Sequence, residues 1–144
     1  MTNLSLKAAN QIAAAAIAHA REHDTKPMAV AVLDSAGTLR ALQSEDNVAL
    51  MRPDIAQGKA WGCIGLGVST RSLHGAFEAR PNMNPAFYAF MGLAGHRLVP
   101  SPGGVFIKDG DEIIGAVGVS GDTPDIDEAC AVAGIEAAQL TAQI

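Results

Sequence analysis

The sequence predicts an α/β fold of the α+β kind, in which antiparallel strands carry helices. Three observations predict it. Val105-Phe106-Ile107 and the run 112–120 are strand-like and are joined by Lys108-Asp109-Gly110-Asp111. Asp-Gly at the centre supplies the positive φ that a tight hairpin needs. A second pair of apolar runs, 28–33 and 38–43, flanks Asp34-Ser35-Ala36-Gly37, a turn with Gly37 suited to positive φ. Three stretches, about 5–23, 53–66 and 124–144, place apolar residues at helical spacing.

In chain order, Ser5 is a suitable N-cap for the first helix. Leu6, Ala9, Ile12, Ala13, Ala16, Ile17 and Ala20 form its apolar stripe, and the alanine run 13–16 favours helix. His19 and His23 lie four residues apart near its C-terminus, so they share a face. Such a pair can chelate a metal or flank a ligand; solvated imidazoles that stabilise the helix end when protonated are the plainer role. Asp34 caps its turn through the backbone, and Ser44-Glu45-Asp46-Asn47 is irregular.

Pro53 and Asp54 suit the first turn of the second helix. Gly58, Gly62 and Gly65 keep one side of that helix thin enough for another element to approach. Lys59 stands beside this tight face, either with its stem reaching out to water or with its ammonium offered to a carboxylate ligand or to Asp46. A third helix is expected over 69–79, capped by Ser69. Arg80-Pro81-Asn82-Met83-Asn84-Pro85 reads as a loop, followed by a short helix over 86–91. Phe77, Phe87, Tyr88, Phe90 and Met91 concentrate the aromatic mass there, as a lid, a contact between subunits or a small satellite core. His96 is a further candidate for metal or acid–base chemistry. Leu98-Val99 reads as a short strand.

Gly103-Gly104 turns the chain into the central hairpin, and Gly121-Asp122-Thr123-Pro124 turns it out again into the last helix. Gly115, Gly118 and Gly121 either let a helix pack close to the sheet or leave backbone N–H groups facing a ligand. Asp127 and Glu128 complement the dipole of the last helix and are candidates to face a pocket.

Composition narrows the function. The chain has 144 residues, the length of one domain spanning 1–144. At 49% hydrophobic and 17% charged it is globular, and the low charged fraction suggests surface covered by partners. A net charge of −5 with no basic cluster argues against nucleic acid. The apolar run 12–18 is too short to span a membrane. The start MTNLSLK does not read as a signal peptide, so a cytoplasmic protein is expected, with Cys63 and Cys130 as reduced, buried thiols.

GGVFIKDGDEIIGAVGVSG followed by DIDEACAVAGIEAA resembles the GlcG/HbpS family of haem-binding proteins, which includes the C-terminal domain of PduO-type adenosyltransferases. AVAVLDSAG at 29–37 resembles the family's first hairpin, and Asp46, Ile55, Ala56, Lys59 and Ala60 fit its "D…IA..KA" pattern. The resemblance implies a profilin-like domain with a five-stranded antiparallel sheet, assembled into a homo-oligomer. It also implies a small-molecule ligand, with haem as the candidate cofactor. Haem commonly takes an axial imidazole, and His19, nearer the apolar stripe than His23, is the first candidate. Lys59 and the backbone at Gly103, Gly104 and Gly121 are the groups expected to meet ligand carboxylates. Ser44, Asn47 and Arg52 depart from the family, which commonly has arginine, glycine and serine there.

No Walker loop, GxSxG elbow, CxxC or strand-borne GxGxxG is present. The alternatives to a binding module are an enzyme acting on a small carboxylate or aromatic metabolite, with Asp46 or a histidine as acid–base group, and an accessory protein that stabilises a partner enzyme.

Overall fold

The computed structural model describes residues 3–95 and 97–144, so His96 lies outside the described residues. Ser5 Oγ accepts the Ala8 N–H at 3.0 Å and starts α1, Leu6–Glu22. Ala9, Ile12, Ala13, Ala16 and Ala20 of its stripe are buried; Leu6 is exposed and Ile17 half-buried. The chain then forms the hairpin of β1 (Ala29–Asp34) and β2 (Leu39–Ser44). Asp34 Oδ1 accepts from the N–H groups of Ala36 and Thr38, each at 3.0 Å, and Gly37 takes φ +80°. The local chemistry of the turn thus sets this hairpin's register.

Helices α2 (Arg52–Leu66), α3 (Thr70–Ala79) and α4 (Asn84–Leu93) follow. Ser69 Oγ accepts the Ser72 N–H and caps α3. Strands β3 (Gly104–Asp109) and β4 (Glu112–Ser120) form the central hairpin, which leads into α5 (Pro124–Ala137) and β5 (Thr141–Gln143). The sheet order is β2-β1-β4-β3-β5, with every neighbouring pair antiparallel. This is the five-stranded antiparallel sheet with flanking helices that the family resemblance implies.

Alternation along the strands sends side chains to two cores. Val30, Val32, Val105, Ile107, Val117 and Val119 pack with Ile12 and Ala16 of α1 and Ile135 of α5. Ala29, Ala31, Leu33, Phe106 and Ala116 face the other way, onto Ala56, Ala60 and Cys63 of α2. The α2 side uses small residues because the helix lies almost on the sheet. A Cβ on Gly118 of β4 would stand 1.8 Å from the Ala56 carbonyl oxygen.

Three elements differ from the sequence reading. Residues 98–99 form no strand; they lie against α2, where a Cβ on Gly62 would meet Leu98 at 2.8 Å and one on Gly58 would meet Val99 at 2.7 Å. The segment 80–85 is not a plain loop. Pro81–Met83 is a 3-10 turn and Pro85 sits in the first turn of α4, where a missing N–H costs nothing. The last helix stops at Ala137, because Gln139 turns to φ +60° and sends the chain back as β5 beside β3. The fifth strand is therefore 141–143, not 98–99.

Candidate ligand-binding site

Five of the residues singled out in the sequence meet in one buried corner. Lys59 of α2 reaches under the sheet end, where its Nζ donates to the Val119 carbonyl at 2.9 Å and to Asp127 Oδ2 at 3.0 Å. Asp127, in the first turn of α5, also accepts the Asp122 N–H on Oδ1 at 2.9 Å. Both side chains are closed off from solvent. Burial pushes the Lys59 ammonium below its ordinary pKa and the Asp127 carboxyl above its own, and each charge opposes the shift of the other. Lys59 thus takes Asp127, not Asp46, as its carboxylate.

The glycines complete the same joint. A Cβ on Gly103 would stand 2.8 Å from Lys59 Nζ, one on Gly104 2.6 Å from the Lys59 carbonyl, and one on Gly121 2.3 Å from the Pro27 carbonyl. The Gly104 N–H donates to Thr70 Oγ1 at 2.7 Å. All three glycines thus stand where a side chain would collide with a neighbouring element, in the corner where the Lys59–Asp127 pair joins α2 to α5.

Glu128 is buried beside the corner, where both its carboxylate oxygens accept from Arg71 Nε, at 3.0 and 2.8 Å. Arg71 also pairs with Asp125. Asp46 is exposed and lines a shallow hollow with Arg21, Glu45 and Asn47, away from Lys59.

The two histidines form a separate feature. The rings of His19 and His23 stack with centroids 4.0 Å apart. His23 Nδ1 lies 2.8 Å from the His19 carbonyl, which holds that ring against its neighbour. His19 is half-buried and His23 exposed. Together they border a cavity of about 120 Å³ with Thr25, Ile126, Ala129 and Cys130. Ile126 and Ala129 are exposed, so an apolar shelf on α5 adjoins the imidazoles. Burial pushes the Cys130 thiol up to about 11, so it stays protonated and is no anionic ligand at neutral pH. Among the described residues no group of three or more His, Cys, Asp or Glu side chains is placed to hold a metal ion.

The sequence reading passed over Trp61 and Arg97, which share a larger cavity on the α2 side of the sheet, and Arg71, the partner of Glu128. Trp61 gave no motif signal, and the two arginines act through contacts with distant parts of the chain.

This fold is one in which a helix-flanked antiparallel sheet is closed by a C-terminal strand. The family model described as "Haem degrading protein HbpS-like" matches residues 4–136. The chain belongs to the HbpS-like family. Among solved structures it is similar to protein ORFY of Klebsiella pneumoniae, with 27% identity over 96% of this chain and 93% of that one and a TM-score of 0.84. It is also similar in fold to PduOC in a haem complex, at 22% identity over 99% of this chain and 100% of that one, TM-score 0.82. A double mutant of HbpS from Streptomyces reticuli matches at 24% identity over 94% of this chain and 87% of that one, TM-score 0.78. No curated protein matches the chain. No described helix is long and apolar enough to cross a membrane.

Proposed function

We propose that this protein binds haem, or a planar anionic molecule of similar size, at the C-terminal end of α1, with His19 as the axial ligand to iron. The observation that carries the proposal is the seat of His19: half-buried, four residues from a stacked second imidazole, beside the exposed apolar shelf of Ile126 and Ala129. Membership of a family described by haem degradation supports the choice of ligand, as does the likeness in fold to PduOC in a haem complex.

The residues fit haem as an axial ligand set, not as an enclosing pocket. One imidazole suffices for haem, whose own nitrogens hold the iron; a bare ion would need more protein ligands than this surface offers. A cavity of about 120 Å³ is well below the roughly 300–1,000 Å³ of enclosed small-molecule sites. The porphyrin face would need covering by a second surface, and a second copy of this chain in a homo-oligomer is the cover we propose. Bound there, haem would supply an iron centre that His19 would hold, while the stacked His23 ring would keep the His19 imidazole in place.

Haemin titration followed by absorbance and native mass spectrometry tests this. The expected result is a saturating Soret band and whole-number haem retention on an oligomer. A broad, non-saturating absorbance with haem-free monomer would overturn it.

A further inference from the structure

We infer that the α2 side of the sheet carries a second small-molecule site, built by Trp61 and Arg97, that takes a planar aromatic carboxylate with a hydrogen-bond donor at its far end. The sequence sets this up through glycine. Gly58 and Gly62 have no side chains, so the segment 97–99 lies directly on α2; a Cβ on Gly58 would come within 3.1 Å of the Arg97 carbonyl. That contact seats the Arg97 guanidinium over the Trp61 ring, 4.1 Å from its centroid, a stacked cation–π arrangement. Arg97 Nε donates to the Ala94 carbonyl at 2.9 Å, which holds the planar head in place.

Beside this pair is a cavity of about 460 Å³, within the size of known small-molecule sites. It reaches from Leu33 and Gly37 at the first hairpin to Asp54 and Gln57 on α2. Gly37 and Gly58 line it without side chains, and the half-buried Trp61 indole lines it beside them, an aromatic surface for an aromatic ligand. Gly37, at φ +80°, stands at the indole edge: a Cβ there would lie 3.8 Å from Trp61 Nε1.

The polar groups are of two kinds and are not used up on each other. Among the described residues no acceptor is bonded to Trp61 Nε1 or to the terminal nitrogens of Arg97, and Asp54 has no ion-pair partner. Gln57 donates through Nε2 to the Pro53 carbonyl at 3.3 Å, leaving its Oε1 as an acceptor. Arg97 and Asp54 border one cavity without forming a salt bridge. A ligand carboxylate satisfies Arg97 and the indole N–H; a donor at the other end satisfies Asp54 and Gln57. A ligand with only one of these groups leaves the opposite end unmatched. This site lies on the α2 face, whereas the His19 shelf is formed by α1 and α5 on the opposite face, so the two readings stand or fall separately.

Trp61 is the only tryptophan in the chain, so its indole N–H gives a single NMR signal that reports directly on this cavity. Titration with 4-hydroxybenzoate is expected to shift that signal saturably, with half-saturation at about 1 mM or below. Benzoate, lacking the donor, and phenol, lacking the carboxylate, are expected to bind at least about tenfold more weakly. Arg97→Ala should weaken 4-hydroxybenzoate by about tenfold or more, Asp54→Asn should narrow its advantage over benzoate, since a neutral acceptor replaces a charged one, and His19→Ala should leave the titration unchanged. No saturable shift at about ten times that concentration, equal binding of the three probes to the unaltered protein, or an Arg97→Ala titration matching it would overturn the assignment.

Discussion

The ammonium of Lys59 lies 3.0 Å from Oδ2 of Asp127, and both side chains are sealed inside the corner where α2, β4 and α5 meet. A buried ion pair is costly to half-remove, because the remaining charge is stranded without water. Lys59→Met or Asp127→Asn alone should therefore lower unfolding free energy by about 3–5 kcal/mol. The double replacement Lys59→Met with Asp127→Asn should cost clearly less than the sum of the singles. Denaturant unfolding of all variants measures this, and strict additivity would show that the two groups do not act as a pair.

Gly118 carries a second structural prediction. Its missing Cβ is what lets the Ala56 carbonyl of α2 rest on β4, since the added atom would stand 1.8 Å from that oxygen. The obstacle is backbone, so it cannot swing aside. Gly118→Ala should destabilise the fold by at least about 1–3 kcal/mol, read as a lowered denaturation midpoint. Gly75→Ala, where an added Cβ meets nothing within 4 Å, should be neutral or slightly stabilising in its helix.

Asp122 gives the pH dependence. Its Oδ2 accepts the Lys26 N–H at 2.9 Å and its Oδ1 the Thr123 N–H at 2.7 Å. These backbone donors, first Lys26 and then Thr123, hold its pKa below the ordinary 3.8. A carboxyl with a depressed folded-state pKa adds stability above its unfolded pKa and loses it as pH falls through the folded value. Asp122→Asn should thus lower stability near neutral pH and flatten the decline below about pH 4. Melting curves between neutral pH and the acid limb check it; parallel pH profiles for the two proteins would contradict it.

The parts of the fold legible in the sequence are those set by neighbours in the chain. Ser5 and Ser69 cap the helices that follow them, Asp34 and Gly37 build their own turn, and Asp109-Gly110 closes the central hairpin. Gly58 and Gly62 announced a close approach but not by what, and the answer, residues 97–99, cost the reading one strand. The real fifth strand depends on Gln139 at positive φ, which glutamine does not advertise. The candidate site was less legible. Lys59 stood out as odd, yet its partner Asp127 lies 68 positions away, and sequence alone gives no means of matching a lysine to one of several acids. The histidine pair was legible because i, i+4 spacing on a helix places two rings together. The apolar shelf of Ile126 and Ala129 beside it was not, since it comes from the far end of the chain.

The central claim is that His19 holds the iron of a haem bound on the α1–α5 face. The most direct measurement is a haemin titration of His19→Ala beside the unaltered protein and His23→Ala, read at the Soret band. The account predicts that His19→Ala loses the band or binds at least about tenfold more weakly, while His23→Ala keeps it with a changed position or intensity. A His19→Ala protein that takes up haemin with the full band and unchanged affinity would contradict it.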